Sequence, residues 1–156
     1  MSQSFNRHRR LRTSKAMREM VKETRLHPSD FIYPIFVVEG LEGKKAVPSM
    51  PDVYHVSLDL LKDEVAELVK LGIQSVIVFG IPEEKDDCGT QAYHDHGIVQ
   101  KAITEIKEHF PEMVVVADTC LCEYTDHGHC GLVKDGVILN DESLELLAQT
   151  AVSQAK

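Results

Sequence analysis

Asp118, Cys120 and Cys122 lie at a spacing that suits metal binding. They follow the apolar run 113–117, which predicts one buried strand. Because side chains alternate along an extended chain, we expect these three side chains on one face. A Gly-containing loop then allows Cys130 to return as a third thiol. Three thiolates suit zinc, and three protein ligands with an open fourth position are typical of a catalytic zinc site.

The side chains near these cysteines allow more than one role. His127 and His129 are either metal ligands or residues that orient the loop, and the second role is favoured because an open position serves a substrate better. Asp118 either takes part in catalysis or caps loop amides, and its shared face with the cysteines favours catalysis. Tyr124 fits packing as well as catalysis. Cys88 stands alone in a charged stretch and is predicted to be an ordinary thiol.

Residues 118–131 read Asp-x-Cys-x-Cys-x-Tyr-x-x-His-Gly-His-Cys-Gly, which closely resembles the zinc signature of the porphobilinogen synthase (5-aminolevulinate dehydratase) family. The resemblance continues in Arg9–Arg12, Phe31–Phe36 and Val78–Pro82, so it covers nearly the whole chain. It implies a (β/α)8 barrel and the condensation of two 5-aminolevulinate molecules into porphobilinogen with loss of two waters. Some family members replace the cysteines with aspartates, so the three retained thiols imply zinc as the metal.

The surrounding elements predict an α/β fold with three strand–helix units. Such an order implies parallel strands joined by right-handed crossovers. It begins both doubly wound sheets and (β/α)8 TIM barrels, and the family resemblance favours the N-terminal part of a barrel. In both folds the chemistry gathers at the C-terminal ends of the strands, where Asp118 lies. The predicted strands are 31–39, 75–79 and 113–118, the helices 58–71, 98–110 and one from Asn140 or Asp141, the hairpin 132–138 and the irregular segment 40–55.

Local signals predict where some of these elements begin. Ser14 and Ser57 are expected to cap the helices that follow them, and Asp95 is expected to cap the helix from residue 98. Asn140 or Asp141 is expected to cap the last helix. Pro34 lacks an N–H donor, so the paired part of the first strand is expected to begin after it.

The charge distribution separates an N-terminal arm from the rest of the chain. Residues 1–25 carry a local charge of +6 and the remaining residues carry -14, which together give the net charge of -8. A basic arm on an acidic body suits either nucleic acid or an acidic surface of another subunit. Subunit contact is favoured because the body would repel phosphate. The resemblance agrees, since family members form large homo-oligomers with N-terminal arms around neighbouring subunits. We therefore divide the chain into 1–28, an extended arm and short helix, and 29–156, a partial barrel.

Composition predicts a globular protein of the cytoplasm. The chain is 43% hydrophobic with few Gly and Pro residues, which excludes a disordered chain. No run approaches the roughly 18 apolar residues of a membrane span. The polar, basic N-terminus does not resemble a secretory signal. Four cysteines without an export signal indicate thiols or metal ligands rather than disulfides.

The chain of 156 residues is short for the implied barrel. A complete (β/α)8 barrel needs about 250 residues, so the three units predict a fragment of a longer protein. By resemblance, the two lysines that form Schiff bases with substrate lie in the second half of the barrel, and the fragment alone is expected to be inactive. The alternative is a non-catalytic, zinc-stabilised half-barrel that serves as an assembly or regulatory module.

Overall fold

A five-stranded sheet lies at the centre of the computed structural model, which describes residues 8–156. The strands are, in chain order, β1 (Ile32–Val38), β2 (Lys44–Ala46), β3 (Tyr54–Val56), β4 (Ser75–Ile81), β5 (Val114–Ala117), β6 (Leu132–Lys134) and β7 (Val137–Leu139). Strands β3, β1, β4 and β5 are parallel in that spatial order, and β2 pairs antiparallel with β3. Strands β6 and β7 form a separate hairpin, as the Asp-Gly turn predicts.

The helices occur along the chain in the predicted order, one before β1 and three among or after the strands. They are α1 (Lys15–Met20), α2 (Leu61–Lys70), α3 (Ile98–His109) and α4 (Asn140–Ala155). Short 3-10 turns occur at Arg10–Arg12, Pro28–Asp30, Leu58–Leu60 and Thr90–Ala92. The prediction of a mixed α/β fold with a parallel sheet is confirmed.

The parallel strands have one buried face and one half-buried face. Strands β1 and β4 pair over their full lengths, from Ile32 opposite Ser75 onward. The buried face is formed by alternate residues of both strands, which are Ile35, Val37, Val76 and Val78. On the other face Phe36 stacks on Phe79 with ring centroids 5.1 Å apart. The register of β5 against β4 places Asp118 level with Phe79, so the end of β5 opens onto this second face.

Helices α2 and α3 cover the buried face because each presents an apolar stripe at helical spacing. The stripes are Leu61, Val65 and Leu68 on α2, and Ile98, Val99, Ala102 and Ile106 on α3. Helix α4 packs beside α3, where Gln100 Nε2 donates a hydrogen bond to Ser153 Oγ over 3.0 Å. The helix that follows the cysteines is therefore tied to the helix that precedes them.

The paired part of the first strand begins earlier than predicted. Pro34 lies within the paired part of β1, opposite Ile77, so the prediction that pairing starts after it is wrong. Among the described residues β3 pairs with the outer edge of β1 only at Phe36 and Val37. That edge is free of pairing at Pro34, and a free edge tolerates a missing N–H. The segment 40–55, predicted to be irregular, contains β2 and most of β3.

One of four predicted helix caps is present. Ser14 Oγ accepts a hydrogen bond from the N–H of Met17, which confirms the first cap. Ser57 is buried but makes no capping bond, and Asp95 pairs with Lys156 Nζ over 2.9 Å while α3 begins without a side-chain cap. Asn140 and Asp141 lie in the first turn of α4, which also begins without a side-chain cap. The three wrong predictions rest on local spacing alone, which does not fix where these side chains lie in the folded chain.

The segment before β1 is exposed where the structure describes it. Residues 1–7 of the predicted extended arm lie outside the described residues. The turn at Arg10–Arg12 interrupts the extended run predicted over residues 1–13, and neither this turn nor α1 contains a buried residue. Within residues 8–156, no helix has both the length and the apolar character required to cross a membrane.

Candidate metal centre

Strand β5 carries Asp118 to the C-terminal edge of the parallel sheet. The strand ends at Ala117, but the N–H of Asp118 donates to the carbonyl of Val78 over 3.2 Å and extends the ladder by one residue. Gln154 Nε2 on α4 donates to the carbonyl of Asp118 over 2.7 Å. The first residue of the loop is thus fixed from the sheet and from a helix. In α/β proteins this edge of the sheet is where ligands bind.

Residues 118–131, here called the cysteine loop, turn directly after the strand. The N–H groups of Tyr124 and Thr125 both donate to the carbonyl of Leu121 over 2.9 Å, and the Leu121 side chain is fully buried. We expected strand alternation to align the side chains from Asp118 to Cys122. This expectation is wrong, because the chain turns at Leu121 and does not continue as a strand. Instead, Cys120 and Cys122 flank the buried Leu121, which anchors the turn.

The three cysteines predicted as metal ligands meet at one point. The Sγ atoms of Cys120, Cys122 and Cys130 all lie within 4.8 Å of one another. The Cys120 thiol donates to the Cys122 Sγ over 3.2 Å. In a tetrahedral zinc site with Zn–S bonds of about 2.3 Å, sulfurs are roughly 3.8 Å apart. The donor set therefore fits zinc, and the sulfurs lie close enough together to share one ion. Cys88 lies on another loop and does not join this group of potential ligands.

Two carboxylates border the thiols, and sequence reasoning identified only one of them. Asp118, Cys120 and Glu123 bring potential ligand atoms within 4.8 Å of one another. Glu123 Oε2 also accepts a hydrogen bond from the Cys122 thiol over 3.1 Å. The only sequence signal for Glu123 is its place beside Cys122, and an extended chain would turn it to the opposite face.

Burial and hydrogen bonding raise the pKa of three groups in this cluster. Burial, followed by the hydrogen bond to Glu123, raises the pKa of the Cys122 thiol. The hydrogen bond with Cys120 is the main cause that raises the pKa of Cys130. Burial, followed by the charge of Glu123, raises the pKa of Asp118. Each of these groups loses its proton less readily because its neighbours are negatively charged or buried with it. A bound cation would offset that repulsion.

Neither histidine of the cysteine loop joins a group of potential metal ligands in the part of the chain that the structure describes. His127 Nδ1 accepts a hydrogen bond from the N–H of His129 over 3.1 Å, and its Nε2 lies 3.3 Å from the carbonyl oxygen of Asp87. Both ring nitrogens therefore contact the backbone, which agrees with a role in orienting the loop. Tyr124 is only 2% exposed and lies against Gly80, as a packing residue does.

A second loop supports the cysteine loop from one side, and no signal in the sequence indicates this contact between the two loops. We call residues 82–97, which follow β4, the charged loop. Asp86 bridges the two loops, since its N–H donates to the carbonyl of Tyr124 over 3.3 Å and its carbonyl accepts from the N–H of Asp126 over 3.0 Å. The Asp86 carboxylate accepts hydrogen bonds from the N–H groups of Cys88 and Thr90, each over 3.0 Å. One aspartate therefore shapes its own loop and holds the other.

Fold and site together define a class of protein. A parallel α/β sheet carries a thiol-rich candidate metal centre at the C-terminal edge of its strands, bordered by a carboxyl group of raised pKa. This placement is typical of enzyme active sites in α/β folds, and the three-thiol donor set is typical of zinc proteins.

Comparison with known proteins identifies the family. The model of the delta-aminolevulinic acid dehydratase family matches residues 5–156, and the chain belongs to this family. It is 99% identical over 156 residues to the delta-aminolevulinic acid dehydratase of Bacillus subtilis (strain 168), covering all of this chain and 48% of that protein. It is 61% identical over 153 residues to the Halalkalibacterium halodurans protein of the same name, covering 98% of this chain and 47% of that protein. The chain thus spans about half the length of the curated relatives it matches.

A solved structure with the same fold belongs to the same family. The crystal structure of delta-aminolevulinic acid dehydratase (porphobilinogen synthase) from Toxoplasma gondii ME49, in complex with the reaction product porphobilinogen, superposes with a TM-score of 0.90. The match has 34% sequence identity and covers 97% of this chain and 44% of that one. The family resemblance drawn from the sequence is confirmed.

Proposed function

We propose that this chain supplies the zinc-binding half of a porphobilinogen synthase, which condenses two 5-aminolevulinate molecules into porphobilinogen with loss of two waters. The observation that carries the proposal is the convergence of three thiols beside Asp118 at the C-terminal edge of the sheet. Family membership supports the reaction. The product bound to the Toxoplasma gondii relative supports the chemical class of the ligand.

The three clustered thiols are the proposed zinc ligands. Cys120, Cys122 and Cys130 would hold the ion through sulfur, and Cys88 would not. When bound, zinc supplies Lewis acidity and lowers the pKa of a coordinated amine or water. A site with three protein ligands leaves one position for substrate.

Asp118 is the proposed catalytic residue of this half. Its carboxyl group stands at the strand end, next to the thiols, and burial raises its pKa. A carboxyl group with a raised pKa holds and releases a proton closer to neutral pH than an ordinary aspartate does. We assign it to proton transfer at the substrate amine or to holding that amine in place.

The ketone groups of the substrates require a second set of residues. Lysine Schiff bases activate ketones by turning them into better electrophiles. By family resemblance, the two lysines lie outside residues 1–156. We therefore expect the isolated chain to bind metal without turning substrate over.

We further infer the larger assembly of the whole protein. The TM-score of 0.90 to a family member supports a (β/α)8 barrel to which β1, β4 and β5 contribute. The basic charge of the N-terminal 25 residues supports an arm that lies on an acidic surface of another copy in a homo-oligomer.

We propose neither nucleic acid nor a membrane as a partner. Free thiols at a metal site favour a reducing compartment, which supports the cytoplasm.

Metal titration tests the site. We expect one zinc ion per chain, and cobalt(II) in its place should give the intense near-ultraviolet absorption of thiolate ligation. Single substitutions Cys120→Ser, Cys122→Ser and Cys130→Ser should each weaken binding strongly, while Cys88→Ser is the matched control and should bind as the unaltered chain does. Stoichiometric binding without any thiolate absorption would refute the ligand assignment.

An activity measurement tests whether the lysines required for catalysis lie outside this chain. The purified chain, loaded with zinc and supplied with 5-aminolevulinate, should form no porphobilinogen. Product formation by the chain alone would show that the required lysines lie within residues 1–156.

A further inference from the structure

His127 is the only residue of the cysteine loop whose side chain reaches the charged loop by a hydrogen bond, among the residues the structure describes. Its Nδ1 accepts from the N–H of His129, so Nδ1 carries no hydrogen and Nε2 carries the ring hydrogen of the neutral imidazole. Nε2 then donates to the carbonyl of Asp87 over 3.3 Å. One tautomer satisfies both bonds, and the ring is half-buried between the loops.

The third thiol needs such support more than the first two do. Cys120 and Cys122 flank the fully buried Leu121, which anchors them in the core. Cys130 is exposed and comes at the end of the turn from Thr125 to His129. That turn is closed by polar bonds, of which Thr125 Oγ1 to the carbonyl of His129 measures 2.9 Å.

We propose that His127 is a positioning residue that holds Cys130 in reach of the other two thiols by joining the turn 125–129 to the carbonyl of Asp87. The inference rests on the proposed metal site and adds a determinant of its affinity. Without the imidazole, the turn loses its side-chain link to the charged loop and keeps only the backbone bond from Asp126 to Asp86. The N–H of His129 also loses its acceptor. Cys130 then samples positions outside the cluster, and the loss of preorganisation weakens metal binding.

The chain contains a natural control for this inference. His94 is followed by His96 in the same His-x-His spacing, and His94 Nδ1 accepts from the N–H of His96 over 3.2 Å. The local motif is thus the same as at His127, but His94 is exposed and lies on the charged loop, away from the thiols. His127 differs from it by its half-buried position in the cysteine loop and by the bond between the loops.

Cobalt(II) affinity and spectrum provide the test, with His127→Phe, His127→Asn and His94→Phe compared in the chain 1–156. Phenylalanine keeps a ring but removes both hydrogen bonds, and we expect about tenfold weaker binding, as is common when a supporting residue of a metal site is lost. Asparagine at 127 retains an acceptor for the local N–H, as in an Asx turn, but is too short for the carbonyl of Asp87. It should therefore recover only part of the affinity. His94→Phe should bind within about twofold of the unaltered chain, since it supports no ligand.

The spectrum separates positioning from general destabilisation. Loss of Cys130 from the coordination sphere should lower the thiolate-to-cobalt absorption of His127→Phe at saturation, whereas a merely less stable fold would leave the saturated spectrum unchanged. Full affinity in His127→Asn, or a saturated His127→Phe spectrum equal to that of the unaltered chain, would overturn the inference. If His127→Phe fails to fold, the comparison of His127→Asn with His94→Phe decides it. Absence of the thiolate signal from the unaltered chain would instead refute the metal site itself.

Discussion

The charged loop and the cysteine loop leave neighbouring parallel strands at the same edge of the sheet, yet they are stabilised in different ways. The charged loop is shaped by its own side chains, since Asp86 accepts hydrogen bonds from the backbone of Cys88 and Thr90. The cysteine loop is buried at Leu121, Tyr124 and Thr125 and then relies on its neighbour, through Asp86 and Asp87, for the part that leads to Cys130.

This difference shows that the loop with the candidate ligands does not fix their geometry alone. The sulfur atoms are placed by a buried leucine beneath them and by a polar neighbour that contains no candidate ligand of the thiol cluster. Substitutions that separate the two kinds of support should therefore have distinct effects on folding and on metal binding.

Removal of the buried anchor should have the largest effect. Leu121→Ala is expected to lower the free energy of unfolding by about 2–5 kcal/mol, because the side chain is fully buried and leaves a cavity. Leu144→Ala is the control, since Leu144 is 56% exposed and should change stability by less than about 0.5 kcal/mol. Urea denaturation of the metal-free chains measures both. Equal effects would show that burial of Leu121 does not anchor the loop.

Crowding of the contact between the loops should have the next largest effect. Gly89 has φ +64°, and a Cβ there would lie 3.3 Å from Tyr124 Cβ and 3.4 Å from Thr125 Cγ2. Gly43 has φ +79° and no atom within 4 Å of the same position. Both alanine substitutions incur about 1–2 kcal/mol for the left-handed backbone. Gly89→Ala should cost about 1 kcal/mol more because its neighbours must move.

The measured quantity is the difference in the free energy of unfolding between Gly89→Ala and Gly43→Ala. Urea denaturation gives it directly, and cobalt(II) titration should show weaker binding for Gly89→Ala alone. Identical unfolding free energies would indicate that the two loops are not closely packed at Gly89.

Removal of the Asp86 charge should have a smaller, pH-dependent effect. Burial acts to raise the pKa of Asp86, but hydrogen bonds from Thr90 and Cys88 outweigh it and hold the pKa below its usual value. A carboxyl group with a lowered pKa in the folded state stabilises the fold above its unfolded pKa of about 4, and this stabilisation is lost as pH falls through the folded value. Asp86→Asn should therefore cost about 1 kcal/mol at pH 7, as the loss of a capping carboxylate does.

Unfolding curves at pH 7 and at pH 3 test this prediction. The difference between Asp86→Asn and the unaltered chain should shrink at the lower pH, while Asp52→Asn, at an exposed position, should show no such trend. A difference that is the same at both pH values would mean that the negative charge is not what stabilises the loop.

Metal removal should have the smallest effect on the fold. Leu121 and Tyr124 belong to the hydrophobic core, so a chelator should release zinc and leave the helical circular dichroism unchanged. A structural zinc site would instead unfold on chelation. Loss of secondary structure in the metal-free chain would favour the alternative of a zinc-stabilised module without catalysis.

Sequence patterns predicted the parallel strands because β-branched apolar runs and helical stripes are local signals. The runs at Ser75–Phe79 and Met113–Ala117 give the strands on which the site is built, within two residues of their observed ends. The pattern failed where an open edge tolerated Pro34 and where Lys156 rather than a helix start engaged Asp95. Those outcomes depend on partners that are distant in sequence.

The types of the residues by themselves determined the candidate chemistry, since three thiols and a carboxylate within thirteen residues have few other uses than metal binding. The tertiary structure decided how they meet. A strand would have aligned Cys120 and Cys122 by alternation, but the chain leaves the sheet after Asp118 and turns around Leu121. The contribution of Glu123 and the support from Asp86 and the Asp87 carbonyl follow from that turn. They depend on the burial of an apolar side chain and on backbone hydrogen bonds between loops, which local spacing does not encode.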